Sequence, residues 1–147
     1  MSKIPDLDAP IIPGKSAAGI PVGTTVKDIM VRAVPTPATE LSSDIVRYEF
    51  GPVVKVWVRH GVVDQVGVYM GYHGLLDDKI GIGSTIAEIE DWCGCQVEEN
   101  EVGNLIAPGS PGWCFDTEDW VGDLTVSSNR NAAVNQIFVL SIGPQRS

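Results

Sequence analysis

Ile20-Pro21-Val22-Gly23-Thr24-Thr25-Val26-Lys27-Asp28-Ile29 recurs, sixty positions on and without a gap, as Ile80-Gly81-Ile82-Gly83-Ser84-Thr85-Ile86-Ala87-Glu88-Ile89. Each copy reads apolar-x-apolar-Gly-hydroxyl-Thr-apolar-x-acid-Ile. The glycine permits a tight backbone, and the hydroxyls of Thr24 or Ser84 are placed to accept from the first free N–H groups of a helix. The acid falls near the first turn, where the helix dipole favours negative charge. Val26 and Ile29, like Ile86 and Ile89, share one helical face at a spacing of three. The pattern predicts equivalent short helices over about 24–33 and 84–93. Pro35 and Pro37 in the stretch Val34–Thr39 bar its inclusion in the first helix.

Working outward, Val54–Arg59 alternates, His60-Gly61 turns, and Val62–Tyr69 alternates again, a strong hairpin signal. In the second half Gly112–Asp116 reads as one strand and Val134–Leu140 as its return. Asp64-Gln65-Val66 corresponds to Asn135-Gln136-Ile137, and Trp57 to Trp113. About fifteen additional residues therefore lie in the second connection, Thr117–Ala133. Cys95 through Ile106 has room for further short strands. These matches predict an α+β fold: two tandem helix-plus-antiparallel-strand repeats forming one sheet-based domain over residues 1–147. The first repeat spans about 17–72 and the second about 77–143, after an extended, proline-containing segment at 1–16. The expected core includes Ile20, Val22, Val26, Ile29, Val56, Val58, Val66, Val68, Ile80, Ile82, Ile86, Ile89, Phe115, Ile137 and Val139, with Trp57, Trp92 and Trp113 also packing inward.

The chain has 147 residues, 44% hydrophobic and 20% charged, so a packed core is expected and wholesale disorder is not. No apolar run approaches the roughly 20 residues of a membrane helix, and Met1–Gly19 lacks the basic head and apolar stretch of a secretory signal. A cytoplasmic protein is expected. The net charge of −9 argues against binding nucleic acid or an anionic membrane. The charge is concentrated: Asp77–Asp123 holds twelve acids and one base, Lys79. Such a field either attracts a basic protein or simply confers solubility.

Chemistry-bearing motifs are scarce. His60 precedes the Gly61 turn and His73 lies in the loop Gly71-Tyr72-His73-Gly74. No nucleophile signature, phosphate loop or dinucleotide fingerprint occurs. Cys93-Gly94-Cys95 is tighter than a zinc knuckle and has no second pair, so Cys93, Cys95 and Cys114 are expected to be reduced and metal-free. No catalytic residue, cofactor or metal is expected. Trp120 stands apart: it sits in the inserted connection among Glu118, Asp119 and Asp123. It reads either as an aromatic anchor for a basic cleft or as a plug over the sheet edge.

Ile12-Pro13-Gly14-Lys15-Ser16, Gly71-Tyr72-His73-Gly74, Lys79-Ile80-Gly81-Ile82-Gly83-Ser84-Thr85, Pro111-Gly112-Trp113-Cys114-Phe115-Asp116 and Gln136-Ile137-Phe138-Val139 together resemble a group of small bacterial proteins. These are similar to immunity proteins encoded beside the polymorphic toxins of contact-dependent and type VI secretion systems. The layout also resembles that of secreted β-lactamase inhibitor proteins, in architecture alone. The resemblance implies a cytosolic, non-enzymatic protein that binds a cognate toxin domain and occludes its active site. It carries no contact residues with it. From charge and insertion, the expected partner surface is Trp120, Asp119, Glu118, Asp116 and Asp123, with Asp77 and Asp78, and with Glu98, Glu99 and Glu101 as a flank. The expected partner has a basic surface or cleft. Two alternatives are a small enzyme or ligand-binding protein with a pocket between the repeats, and an adaptor that loads an effector.

Overall fold

The computed structural model describes residues 4–33, 38–117 and 131–141. Its centre is one antiparallel sheet. Strands β1 (Ser16–Ala17) and β2 (Ile20–Pro21) form a small separate hairpin, followed by helix α1 (Val26–Met30). Then come β3 (Ala38–Glu40), β4 (Ile45–Phe50), β5 (Val54–Arg59) and β6 (Val62–Tyr69). Helix α2 (Ile86–Cys93) precedes β7 (Glu98–Glu99), β8 (Leu105–Ile106), β9 (Trp113–Thr117) and β10 (Val134–Leu140). The main sheet has eight strands in the order β3-β4-β5-β6-β10-β9-β8-β7. Neighbours in each half are consecutive in the chain, and the halves meet where β6 pairs β10, from Gln65 opposite Leu140 to Tyr69 opposite Gln136.

The expected α+β class with helix-plus-strand repeats is overturned. Of the described residues 41% are strand and 12% helical, and the fold is mostly β. The capping residues are Thr25 and Thr85 rather than the expected Thr24 and Ser84, and they open very short helices. Thr25 accepts from the Asp28 N–H at the start of α1, which ends at Val31 after five residues. Thr85 and Glu88 form a reciprocal capping box on α2, which stops after eight residues at Gly94 in the left-handed conformation. Helices this short have little stability of their own and are held by packing on the sheet. The strands β3 and β4, which add to the sheet content, carry no signal in the 60-residue match.

The two capped segments nevertheless dock on the sheet through the same backbone bonds. Gly23 N–H donates to the Val63 carbonyl and Gly83 N–H to that of Val134, each 2.8 Å. The Val63 and Val134 N–H groups donate back to Thr24 and Ser84. Val26 and Ile86 then donate to Gly61 and Ala132. Each helix is thereby fixed at the head of a strand bordering the central seam.

Alternation along the strands sorts the side chains. Val54, Val56 and Val58 of β5, Val66 and Val68 of β6, Phe115 of β9, and Ile137 and Val139 of β10 join one cluster with Ile29, Ile86 and Ile89 from the helices and with Ile4, Ile11 and Ile20. The helices and the N-terminal segment thus cover one face of the sheet. Of the expected core, Val22, Val26 and Ile82 are only partly buried, and the other aliphatics and Phe115 are buried. Trp113 is buried within the cluster. Trp57 alternates with Val56 and Val58, so it belongs to the opposite face and is half-buried, which corrects its assignment to the core.

The cysteine expectation is also corrected. Cys93 and Cys95, on either side of the Gly94 turn, are joined as a disulfide, and Cys114 is a free, buried thiol.

Candidate functional site

The sequence places its acidic groups in four locations, and the structure treats them differently. Glu118, Asp119, Trp120 and Asp123 lie outside the described residues. Asp116 is on β9 and is half-buried. Its two carboxylate oxygens accept from the Asn104 side-chain amide at 3.2 Å each, and burial raises its pKa above the usual carboxylate value against the opposing effect of that bond. Asp116 is therefore a satisfied group of the sheet face. Glu98 and Glu99 form the short edge strand β7, and Glu101 sits in the turn leading to β8; all three are exposed.

Asp77 and Asp78 are exposed acids held in a defined turn. Both have left-handed backbone, with φ of 55° and 57°, at the centre of a turn closed by the Leu76 N–H to Ile80 carbonyl bond of 2.7 Å. Two consecutive left-handed residues make a type I′ geometry, which aspartate tolerates better than most residues. The Asp77 carboxylate accepts from the indole N–H of Trp92 at 2.8 Å. That bond ties the turn to the end of α2. Trp92, expected to pack inward, is half-buried and packs against the core cluster, edge-to-face with Trp113 at 6.3 Å between centroids.

The described ion pairs are Arg47 with Glu49, Arg59 with Asp64, His60 with Asp44 and His73 with Asp8. Among the described residues, Asp77, Asp78, Glu98, Glu99 and Glu101 have no ion-pair partner.

Two features escaped the sequence reading. The first is an aromatic cluster on the sheet face opposite the core. Phe138 meets Trp57 and Tyr69 edge-to-face, at 5.9 and 6.0 Å, and the Lys55 ammonium lies 5.0 Å from the Tyr69 ring centre. Gly67 makes the room: a Cβ there would stand 3.0 Å from both Phe138 and Trp57. Burial pushes the Tyr69 phenol up to about 12. The register places Lys55 and Phe138 on either side of Gly67, but those residues are 83 positions apart, so periodicity within one segment cannot reveal the cluster.

The second is the Tyr72 hydroxyl, which accepts from the Ala18 N–H at 2.9 Å and donates to the Ala9 carbonyl. It clamps the N-terminal segment onto the loop after β6. The neighbouring Gly74 lets the two backbones touch, since a Cβ there would overlap the Ala9 carbonyl oxygen.

No group of three or more His, Cys, Asp or Glu among the described residues is arranged to hold a metal ion. Cys114 is a poor nucleophile, its thiol pushed up to about 12 by burial and, less, by Asp116. No helix among the described residues is long and apolar enough to cross a membrane. Compared with family models, curated proteins and solved structures, the chain matches none.

Proposed function

We propose that this protein is a binding module of the immunity type: an acidic inhibitor that engages a cognate toxin domain with a basic cleft and blocks it. One observation carries the reading. The exposed acids Asp77, Asp78, Glu98, Glu99 and Glu101 all lack ion-pair partners among the described residues, whereas four of the seven acids before them, Asp8, Asp44, Glu49 and Asp64, have one, two of these with a histidine. Uncompensated charge accelerates capture of a basic partner. The sequence insertion carrying Glu118, Asp119, Trp120 and Asp123 belongs to the same acidic half and supplies an aromatic anchor of the kind that dominates interface energetics. Asp116 is withdrawn from the contact set because its carboxylate is already engaged.

The test is co-purification with the product of the adjacent gene, followed by affinity measured across salt. Binding should weaken steadily as ionic strength rises. Trp120→Ala should cost about 2–4 kcal/mol of binding, and the Glu118→Lys, Asp119→Lys double variant a comparable amount. Affinity independent of salt removes the acidic half from the interface, and affinity unchanged in both folded variants removes the inserted loop.

A further inference from the structure

The N-terminal segment and the Asp77–Asp78 turn enclose a groove of about 420 Å³. Its floor and sides include Pro10, Ile12, Leu75 and Trp92, with Asp77 and Asp78 at the rim. Ile12 and Leu75 are among the exposed large hydrophobics, at 40% and 39%. A second hollow continues past Leu75 and Pro10 to Asp8 and shares Asp78 with the first. The groove is a built feature. Ile11 N–H donates to the Leu75 carbonyl at 2.9 Å, joining its two walls. The Trp92 to Asp77 bond fixes one end. At the other, Asp8 is 3.2 Å from His73 Nδ1. Among the described residues no lysine or arginine lines either hollow; His73 lines the second, and Lys79 follows Asp78 in the chain.

An apolar floor with carboxylates at its rim matches one side-chain chemistry. Lysine and arginine lay an aliphatic stem on apolar surface while holding the charged head at its edge. We propose that this groove seats a basic side chain, flanked by apolar residues, from the partner protein. The stem would lie along Leu75 and Pro10, and the head would meet Asp78 and the free oxygen of Asp77. The inference rests on the binding-module reading and deepens it by naming one receiving surface and what it receives.

The probe is acetyl-Leu-Lys-Pro-Arg-Leu-amide, with a control peptide carrying norleucine at both basic positions. Each is titrated to millimolar concentration at low salt while the indole N–H signals are followed by nitrogen-15 NMR. A Trp92→Phe variant assigns the Trp92 signal. The basic peptide should shift that signal saturably, and the norleucine peptide should bind about tenfold more weakly. Asp77→Asn with Asp78→Asn keeps the turn geometry, because asparagine tolerates left-handed backbone, and should also weaken binding about tenfold. The proposal is overturned if both peptides bind alike, or if only the Trp57 signal moves. It is also overturned if Glu98→Gln, Glu99→Gln and Glu101→Gln together cost as much as the turn variant, since a general field would then account for the binding. In the variants without peptide, an unperturbed Trp57 signal and an unchanged melting temperature show that the fold is intact. The broader reading is judged separately, by whether the adjacent gene's product binds the wild-type chain.

Discussion

Replacing Tyr72 by phenylalanine removes one oxygen atom and tests how the N-terminal segment is held. The ring remains and continues to fill its buried place in the core cluster, so the packing loss is small. Two hydrogen bonds disappear, one from the Ala18 N–H and one to the Ala9 carbonyl. Ala18 is fully buried, so its N–H has no access to water and bears the cost of an unsatisfied donor, about 1–3 kcal/mol. Ala9 is half-buried, and its carbonyl loses the hydroxyl donor. The expected loss is about 2–3 kcal/mol, which in a chain of this size lowers the melting temperature by about 5–10 °C. Urea unfolding followed by tryptophan fluorescence measures it, and amide exchange at Ala18 localises it. The same substitution has an alkaline signature. Burial pushes the Tyr72 phenol from 10.0 up to about 12, so the folded chain keeps a proton that the unfolded chain releases above pH 10. Stability is full below about pH 10 and falls as pH rises toward 12. The Tyr69 phenol behaves in the same direction, so the variant should keep part of that decline and lose the share due to Tyr72. A stability change under about 0.5 kcal/mol, with Ala18 still protected and the alkaline slope unchanged, would refute the clamp.

Three further expectations concern other parts of the molecule. Gly67→Val should destabilise the fold by about 1–3 kcal/mol in urea titrations, because its Cβ meets two rings at 3.0 Å that form one cluster. Thr85→Ala breaks a reciprocal capping box on an eight-residue helix and should cost about 1 kcal/mol; Thr25→Ala, on a five-residue helix with a single capping bond, should cost less, both read by denaturation midpoints. Cys114 should resist a thiol reagent at pH 8 in the native protein and react fully once the chain is unfolded, since its thiol is buried and pushed up to about 12.

What could be read from the residues, and what could not, follows from the range of the interactions. The β5–β6 hairpin was legible because alternation and the His60-Gly61 turn are local signals. The helix starts were legible for the same reason, but one residue early: the capping side chains are those of Thr25 and Thr85, not Thr24 and Ser84. The class was misjudged because a capping motif announces where a helix begins and says nothing about its length. In β4, Val46, Tyr48 and Phe50 alternate with Ile45, Arg47 and Glu49, yet its six residues are all half-buried, so neither face stands out as apolar. Of the candidate contacts, Asp77 and Asp78 could be picked by charge, but the Trp92 bond that positions Asp77 spans fifteen residues and needs the fold to be known. Asp116 looked like its acidic neighbours, and only its pairing with Asn104 separates it from them.

The seam between β6 and β10 also bears on how the chain reaches this structure. Every other pairing in the main sheet joins strands adjacent in the chain, whereas the seam joins Gln65 to Leu140, 75 residues apart. Closing so long a loop is entropically costly before any contact rewards it, so each meander can form early and the seam must wait. A destabilising change confined to the β4–β5 pairing, such as Val46→Ala, should therefore slow refolding, while a change at the seam, such as Val68→Ala, should mainly speed unfolding. In kinetic terms the middle of the sheet is the last part to be made, and until it closes two half-sheets expose the strand edges that later join.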